Sequence, residues 1–182
     1  MNLNAAKLAC KEAGISEEEF YEAIASFKGA ANRLEKVAER DGVVIFKDFA
    51  HSPSKLKATI NAVKQQYGDK KLIACMELHT FSSLNKDFLA EYAHSMDGAD
   101  EAIVFVDEKV LIQKKMPPIS ENDITQSFLR EIIFFNNSEK LERFLLNVNA
   151  ANCNVLFMSS GNFGGIDLVT LSKKILKNEI NC

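Results

Sequence analysis

The stretch VVIFKDFAHSPSKLKATINAVKQQYGDKKLIACMELHTFSS, residues 43–83, decides the fold. It passes from an apolar, β-branched segment, Val43-Val44-Ile45-Phe46, through a polar loop into a helical stretch near 54–67, and then into a second apolar run at 72–76. Short continuous apolar runs separated by a helix are the pattern of strands buried on both faces and joined by crossovers. Downstream, apolar runs at 102–106, 131–135 and 154–158 alternate with helical stretches near 86–96, 121–129, 138–149 and 166–177. That alternation extends the reading to one parallel sheet covered by helices. Upstream, Asp41-Gly42 separates Val43–Phe46 from an alternating segment that begins at Arg33, which is a hairpin signal. The expected fold is α/β: a three-layer Rossmann-like domain with a mostly parallel sheet of about six strands and an N-terminal antiparallel hairpin.

Before the hairpin, residues 4–13 have helical spacing and stop at Gly14. Ser16 and Glu19 have the spacing of a capping box, so a second helix is expected from there to about Phe27-Lys28-Gly29. The stretch 107–120, which contains Pro117-Pro118, receives no assignment.

With 182 residues, of which 47% are hydrophobic and 26% charged, the chain has the material for one globular core. A net charge of −3 offers no general positive field for a phosphate backbone, so nucleic acid is not an expected partner. No apolar run approaches the ~20 residues of a membrane helix, and no signal-peptide layout opens the chain, so neither a membrane span nor export is expected and the location should be cytoplasmic. Cys10, Cys75, Cys153 and Cys182 are far apart with no CxxC pair, and we read them as reduced thiols with no metal or catalytic role.

In parallel sheets ligands meet the loops that leave the C-terminal ends of the strands, which nominates residues 47–53, 77–85 and 159–165. The first loop places Asp48 and His51 three residues apart. Asp48 has the chemistry to accept from ribose hydroxyls, with Ser52 and Pro53 starting a helix, or it caps the chain locally while His51 packs. The second loop groups Glu77, His79, Thr80, Ser82 and Ser83. His94, flanked by acids in a helical stretch, reads as structural. The third loop, Ser159-Ser160-Gly161-Asn162-Phe163-Gly164-Gly165, lets backbone N–H groups approach an anion at the start of the last helix. The chain contains neither GxGxxG nor GxxxxGK[ST], so a nucleotide's γ-phosphate would be gripped elsewhere.

Taken in order, Phe27-Lys28-Gly29 with Asn32-Arg33-Leu34-Glu35, DFAHSP at 48–53, ELHTFSS at 77–83 and MSSGNFGGI at 158–166 resemble the C-terminal domain of the Mur ligases. Asn2-Leu3-Asn4-Ala5-Ala6 is similar to the end of that family's central domain. The resemblance therefore implies residues 1–26 as the helical end of the central domain and 27–182 as the C-terminal domain. It implies a fragment of an ATP- and Mg²⁺-dependent ligase, inactive alone, whose P-loop and carbamylated lysine belong to the central domain against which it packs. No residue of this chain is then catalytic or metal-binding in its own right. Arg33 and Asp48 match the family's ATP-binding positions. Phe49, His51 and His79 match the pocket of the incoming nucleophile, and Thr80, Ser83, Ser160, Asn162, Phe163, Gly164 and Gly165 complete the expected substrate-binding set.

Alanine-adding members carry arginines where this chain has Thr80 and Ser83, and MSSGNFGGI resembles the ending of the recycling members. Those members join UDP-N-acetylmuramate to the murein tripeptide L-alanyl-γ-D-glutamyl-meso-diaminopimelate. The resemblance implies that reaction first and the L-alanine reaction second. A reading from another class is an α/β module that binds a nucleotide or peptide without catalysis.

Overall fold

The computed structural model of the protein describes residues 2–27 and 33–178. The chain divides into two compact units, residues 1–31 and 32–182. In the first, α1 (Asn2–Glu12) is followed by α2 (Glu17–Ile24). Gly14, at φ +85°, ends α1 while the N–H of Ile15 reaches back to Cys10 O at 3.0 Å. The expected capping box is present: Ser16 Oγ accepts from Glu19 N at 3.3 Å, and the Glu19 carboxylate accepts from Ser16 N at 2.9 Å. The expected helix end at Phe27-Lys28-Gly29, and Asn32 of the motif, fall at or beyond the edge of the described residues; α2 itself stops at Ile24.

The second unit is built on six strands, β1 (Glu35–Arg40), β2 (Val43–Asp48), β3 (Lys71–Glu77), β4 (Glu101–Phe105), β5 (Ile133–Phe135) and β6 (Cys153–Met158). They lie in the order β1-β2-β6-β3-β4-β5. β1 and β2 form the antiparallel hairpin, and the other neighbours are parallel. β2, β3, β4 and β6 are largely apolar because both their faces are covered, whereas the edge strand β1 is mostly charged. Val44, Phe46, Leu72, Ala74, Met76, Val104, Leu156 and Met158 enter one core with Leu56, Ile60 and Val63 of α3 (Pro53–Gln66) and with Ile124 and Phe128 of α6 (Glu121–Phe128). Their neighbours Val43, Ile45, Ile73, Cys75, Ile103, Phe105, Val155 and Phe157 enter the opposite core with α7 (Ser138–Leu146) and α8 (Leu168–Asn178). The period-2 alternation of side chains thus divides each strand between two helical layers.

The helix expected over 86–96 is shorter. It forms only α4 (Lys86–Leu89) and a 3₁₀ turn over Ala90–Tyr92, because Tyr92 turns inward to stack on Phe128 at 5.2 Å. His94 follows at φ +59°, its N–H bonded to Phe128 O at 3.2 Å and its ring to Asp97 at 2.9 Å. The unassigned stretch holds α5 (Glu108–Gln113), capped by Asp107. Cys75 and Cys153 are buried free thiols, and burial pushes the Cys75 thiol well up.

β6 matters most for position. The last strand of the chain inserts between β2 and β3, so the loops after β2, β6 and β3 stand side by side at the C-terminal end of the sheet. These are the three loops nominated from the sequence.

Lys86 of α4 bonds Asp123 of α6 at 2.8 Å, and Asp123 also closes a capping box with Ser120. Lys86 and then Ser120 hold this carboxyl below the usual range, at about 2. Its contribution to stability is therefore full above the ordinary aspartate range and is lost as pH falls toward 2. Asp123→Asn is expected to lower the melting temperature by a few degrees at pH 7, for a capping loss of ~1 kcal/mol. Melting curves at intervals from pH 7 to 2 should show the difference from wild type narrowing below about pH 4.

Candidate functional site

At the end of β2, Asp48 is engaged on both oxygens. Oδ2 accepts from Leu34 N at 2.5 Å, and Oδ1 from Ala50 N at 2.7 Å and Thr59 Oγ1 at 3.4 Å. The carboxylate thus ties the entrance of β1 to the loop after β2 and still has lone-pair capacity for a further donor. Glu35 pairs with Lys47 across the hairpin, so Arg33 and Phe49 face each other beyond that pair. The Arg33 guanidinium lies 5.8 Å from the centroid of the half-exposed Phe49 ring, and that ring meets His51 edge-on at 5.0 Å. His51 is held by Nδ1 against Phe49 O at 2.8 Å, and its own carbonyl accepts from the Tyr92 hydroxyl at 2.7 Å. Burial raises the Tyr92 hydroxyl to about 12, so it stays a donor there. The structure brings Arg33, Asp48, Phe49 and His51 together.

Beside them a cleft of ≈ 380 Å³ opens between Lys47, Asp48 and Phe49 on one side and Ser159, Gly161, Asn162 and the start of α8 on the other. Lys47 on its rim pairs with Glu35 at 3.4 Å. The anion cradle expected at the start of α8 is largely taken by the chain itself. Asp167 accepts from Val169 N at 3.0 Å and Thr170 N at 3.2 Å, and the Thr170 hydroxyl holds its carboxyl below the ordinary range. The amides of Gly161, Phe163 and Gly165 are bonded to Ser159 Oγ, Glu77 and Asn162 O. Asn162 is exposed, the Ser160 hydroxyl is buried without a hydrogen-bond partner, and Phe163 is buried between Phe105 and Phe157. Gly164 packs inward. At φ +64°, a Cβ there would stand 2.9 Å from Ser138 Cβ and 3.1 Å from Asp107 Oδ2. Gly165, at φ +89°, faces open space.

At the end of β3, Glu77 is buried at 1% exposure. Its Oε2 accepts from Phe163 N at 2.9 Å and from the Ser159 hydroxyl, which clamps the loop after β6 to β3. His79 follows two residues on, with Nδ1 3.4 Å from Glu77 Oε1. Thr80 and Ser83 bond each other, hydroxyl to hydroxyl at 3.0 Å and Ser83 N to Thr80 Oγ1 at 3.1 Å. Ser83 is buried in that turn, which is neutral at both positions. His79 lies against Gly161 of the loop after β6, which stands between the loops after β2 and β3.

Residues 32–161 match the family described as Mur ligase, glutamate ligase domain. The chain belongs to the Mur ligase family. A UDP-N-acetylmuramate--L-alanine ligase from Caldicellulosiruptor saccharolyticus is 29% identical over 168 residues, which cover 91% of this chain and 36% of that protein. Among solved structures, the UDP-N-acetylmuramate-alanine ligase of Thermotoga maritima matches with a TM-score of 0.72 at 17% identity, over 99% of this chain and 37% of that one. The murein peptide ligase of Psychrobacter arcticus matches with a TM-score of 0.67 at 20% identity, over 96% and 36%. This chain therefore spans about a third of the length of these relatives, and its fold is that of a Mur ligase C-terminal domain.

For this Mur ligase domain, sequence reasoning placed Glu77 in the second loop without a role and missed Asp107, Tyr92 and Asp167 as parts of the crevice's frame. Glu77 carried a legible signal, because an acid on the last position of an otherwise apolar strand is buried only when it has partners. Gly161 tests the clamp sterically, since its φ is ordinary but a Cβ would lie 2.5 Å from His79 Nδ1 and 2.7 Å from Glu77 Oε2. Gly161→Ala is expected to cost ~1–3 kcal/mol and to move the His79 ring, read by denaturation and by imidazole chemical shifts. An unshifted His79 spectrum would contradict the packing described.

Proposed function

We propose that this domain serves a ligase that joins UDP-N-acetylmuramate to L-alanyl-γ-D-glutamyl-meso-diaminopimelate in the recycling of cell-wall peptide. The observation that carries this reading is the neutral turn at Thr80 and Ser83 beside His79. Where alanine-adding members carry arginines, these two hydroxyls bond each other, so neither position offers a cation to a free amino-acid carboxylate; the Lys114 ammonium beside this loop lies over the Phe81 ring at 4.1 Å. The L-alanine reaction is the second reading, favoured by the name of the Caldicellulosiruptor relative.

In this reading the Arg33 side of the crevice meets ATP. Arg33 is exposed above Phe49 for the phosphates, and Asp48 keeps acceptor capacity for a ribose hydroxyl. ATP supplies the phosphoryl group that activates the muramyl carboxylate. Phe49, His51, His79, Thr80 and Asn162 surround the incoming peptide, while Ser83, Ser160, Phe163, Gly164 and Gly165 shape that wall from behind or at its edge. Mg²⁺, like the P-loop, is assigned to the central domain in this reading. Residues 1–26 are read as the end of that central domain and 27–182 as the C-terminal domain. Leu3 and Leu8, 50% and 62% exposed on α1, supply apolar surface for the remainder of the central domain. The ligase is taken to be cytoplasmic, where its nucleotide substrates are; no helix among the described residues is long and apolar enough to cross a membrane.

The test is ATP-dependent joining of UDP-N-acetylmuramate by the full-length protein, with tripeptide and with L-alanine. Faster turnover of tripeptide is expected, and faster turnover of L-alanine would select the second reading. The 182-residue chain alone should turn over no ATP. In the full-length protein, Arg33→Ala should raise the ATP KM by roughly 10–100-fold, the equivalent of one charge-assisted bond, and leave the melting temperature unchanged. A lower melting temperature with an unchanged KM would make Arg33 a structural partner of Phe49 instead.

A further inference from the structure

The two oxygens of Glu77 have different surroundings. Oε2 is satisfied by Phe163 N–H and the Ser159 hydroxyl. Oε1 is buried with no hydrogen-bond partner, and so is His79 Nδ1, 3.4 Å away. A carboxylate oxygen without a donor, removed from water, is costly. These adjacent orphaned atoms satisfy each other when Nδ1 carries the proton and the ring closes slightly on Oε1.

Gly161 seals that edge of the ring, because its backbone sits where a Cβ would be 2.5 Å from Nδ1. The His79 side chain is nevertheless 30% exposed, and Nδ1 is fully buried. The open edge is therefore the one that carries Nε2. Among the described residues Nδ1 has no hydrogen-bond partner, and Glu77 Oε1 is the acceptor beside it, 3.4 Å away.

We propose that Glu77 is a positioning residue for His79. It holds the imidazole as the Nδ1–H tautomer, so that the Nε2 lone pair faces the crevice and takes a proton from the incoming amine. The chemical half of this inference rests on the ligase reading above. As the amine nitrogen bonds to the acyl carbon, the C–O bond to phosphate breaks and phosphate leaves with its electron pair. The nitrogen gives up one proton to Nε2, which passes it to the departing phosphate. The transient imidazolium keeps its Nδ1–H on Glu77 Oε1, where the negative charge stabilises it.

Glu77→Gln separates positioning from mere packing. Glutamine keeps the length, and with its carbonyl oxygen on Phe163 N–H and Ser159 it turns an NH₂ toward His79. Nδ1 must then accept, and the proton moves to Nε2. Long-range ¹H–¹⁵N NMR on the 182-residue chain reads which nitrogen of the neutral ring is protonated. Nδ1–H is expected in the wild type, which needs no variant to fold, and Nε2–H in E77Q. In the full-length ligase, E77Q should lower kcat by ~10²–10⁴-fold while the KM for the amine stays within about twofold. A wild-type ring protonated on Nε2, or one tautomer in both proteins, overturns the role of Glu77. The expected tautomers with an unchanged kcat overturn the proton transfer. Because the tautomers are read without turnover, a full-length protein that joins neither amine would sink the ligase reading and the proton step, while the NMR result would still decide the positioning.

Discussion

Burial on both faces constrains this chain more than any other property. Once Ile73 and Cys75 face one helical layer while Leu72, Ala74 and Met76 face the other, β3 has no side left for water, and the same holds for β2, β4 and β6. Such strands require helices above and below, and helices between parallel strands require crossovers. The polar residues are thereby driven to the strand ends, and the insertion of β6 between β2 and β3 gathers three of those ends into one crevice. The site follows from where apolar strands have to stop.

At that boundary a few polar groups hold the loops in place. Asp48 binds the start of β1 to the loop after β2, Glu77 binds the loop after β6 to β3, and Tyr92 binds a 3₁₀ turn to His51. Each is a short bond from a rigid element to a loop, so the side chains that meet ligand need little ordering when it arrives. Arg33, Phe49 and His51 form one group at the loop after β2, and His79 with Gly161 forms another where the loops after β3 and β6 meet.

The sheet, its hairpin and the three loops were legible because periodicity and the Asp41-Gly42 turn are local signals. The break after Leu89 was not, since nothing in residues 86–96 announces that Tyr92 will leave the helical path to stack on Phe128, more than thirty positions later. Asp48 and His51 were legible as a pair, but the partners of Asp48 came from Leu34 and Thr59, which only the tertiary fold supplies. The glycines of the last loop illustrate the same limit. Their sequence suggested an open cradle, whereas Gly161 and Gly164 are small because His79 and Ser138 lie against them. Asp167 stands one residue before α8 and fills a helix end that composition alone left free for an anion.

The central claim is that the neighbouring loops at the C-terminal ends of β2, β6 and β3 receive both ligands. A crystal structure of the full-length ligase with an ATP analogue and the tripeptide tests it directly. The account predicts the nucleotide against Arg33 and Asp48 and the peptide amine within hydrogen-bond distance of His79. Either ligand bound at the opposite end of the sheet, or the amine on a wall without His79, would contradict it.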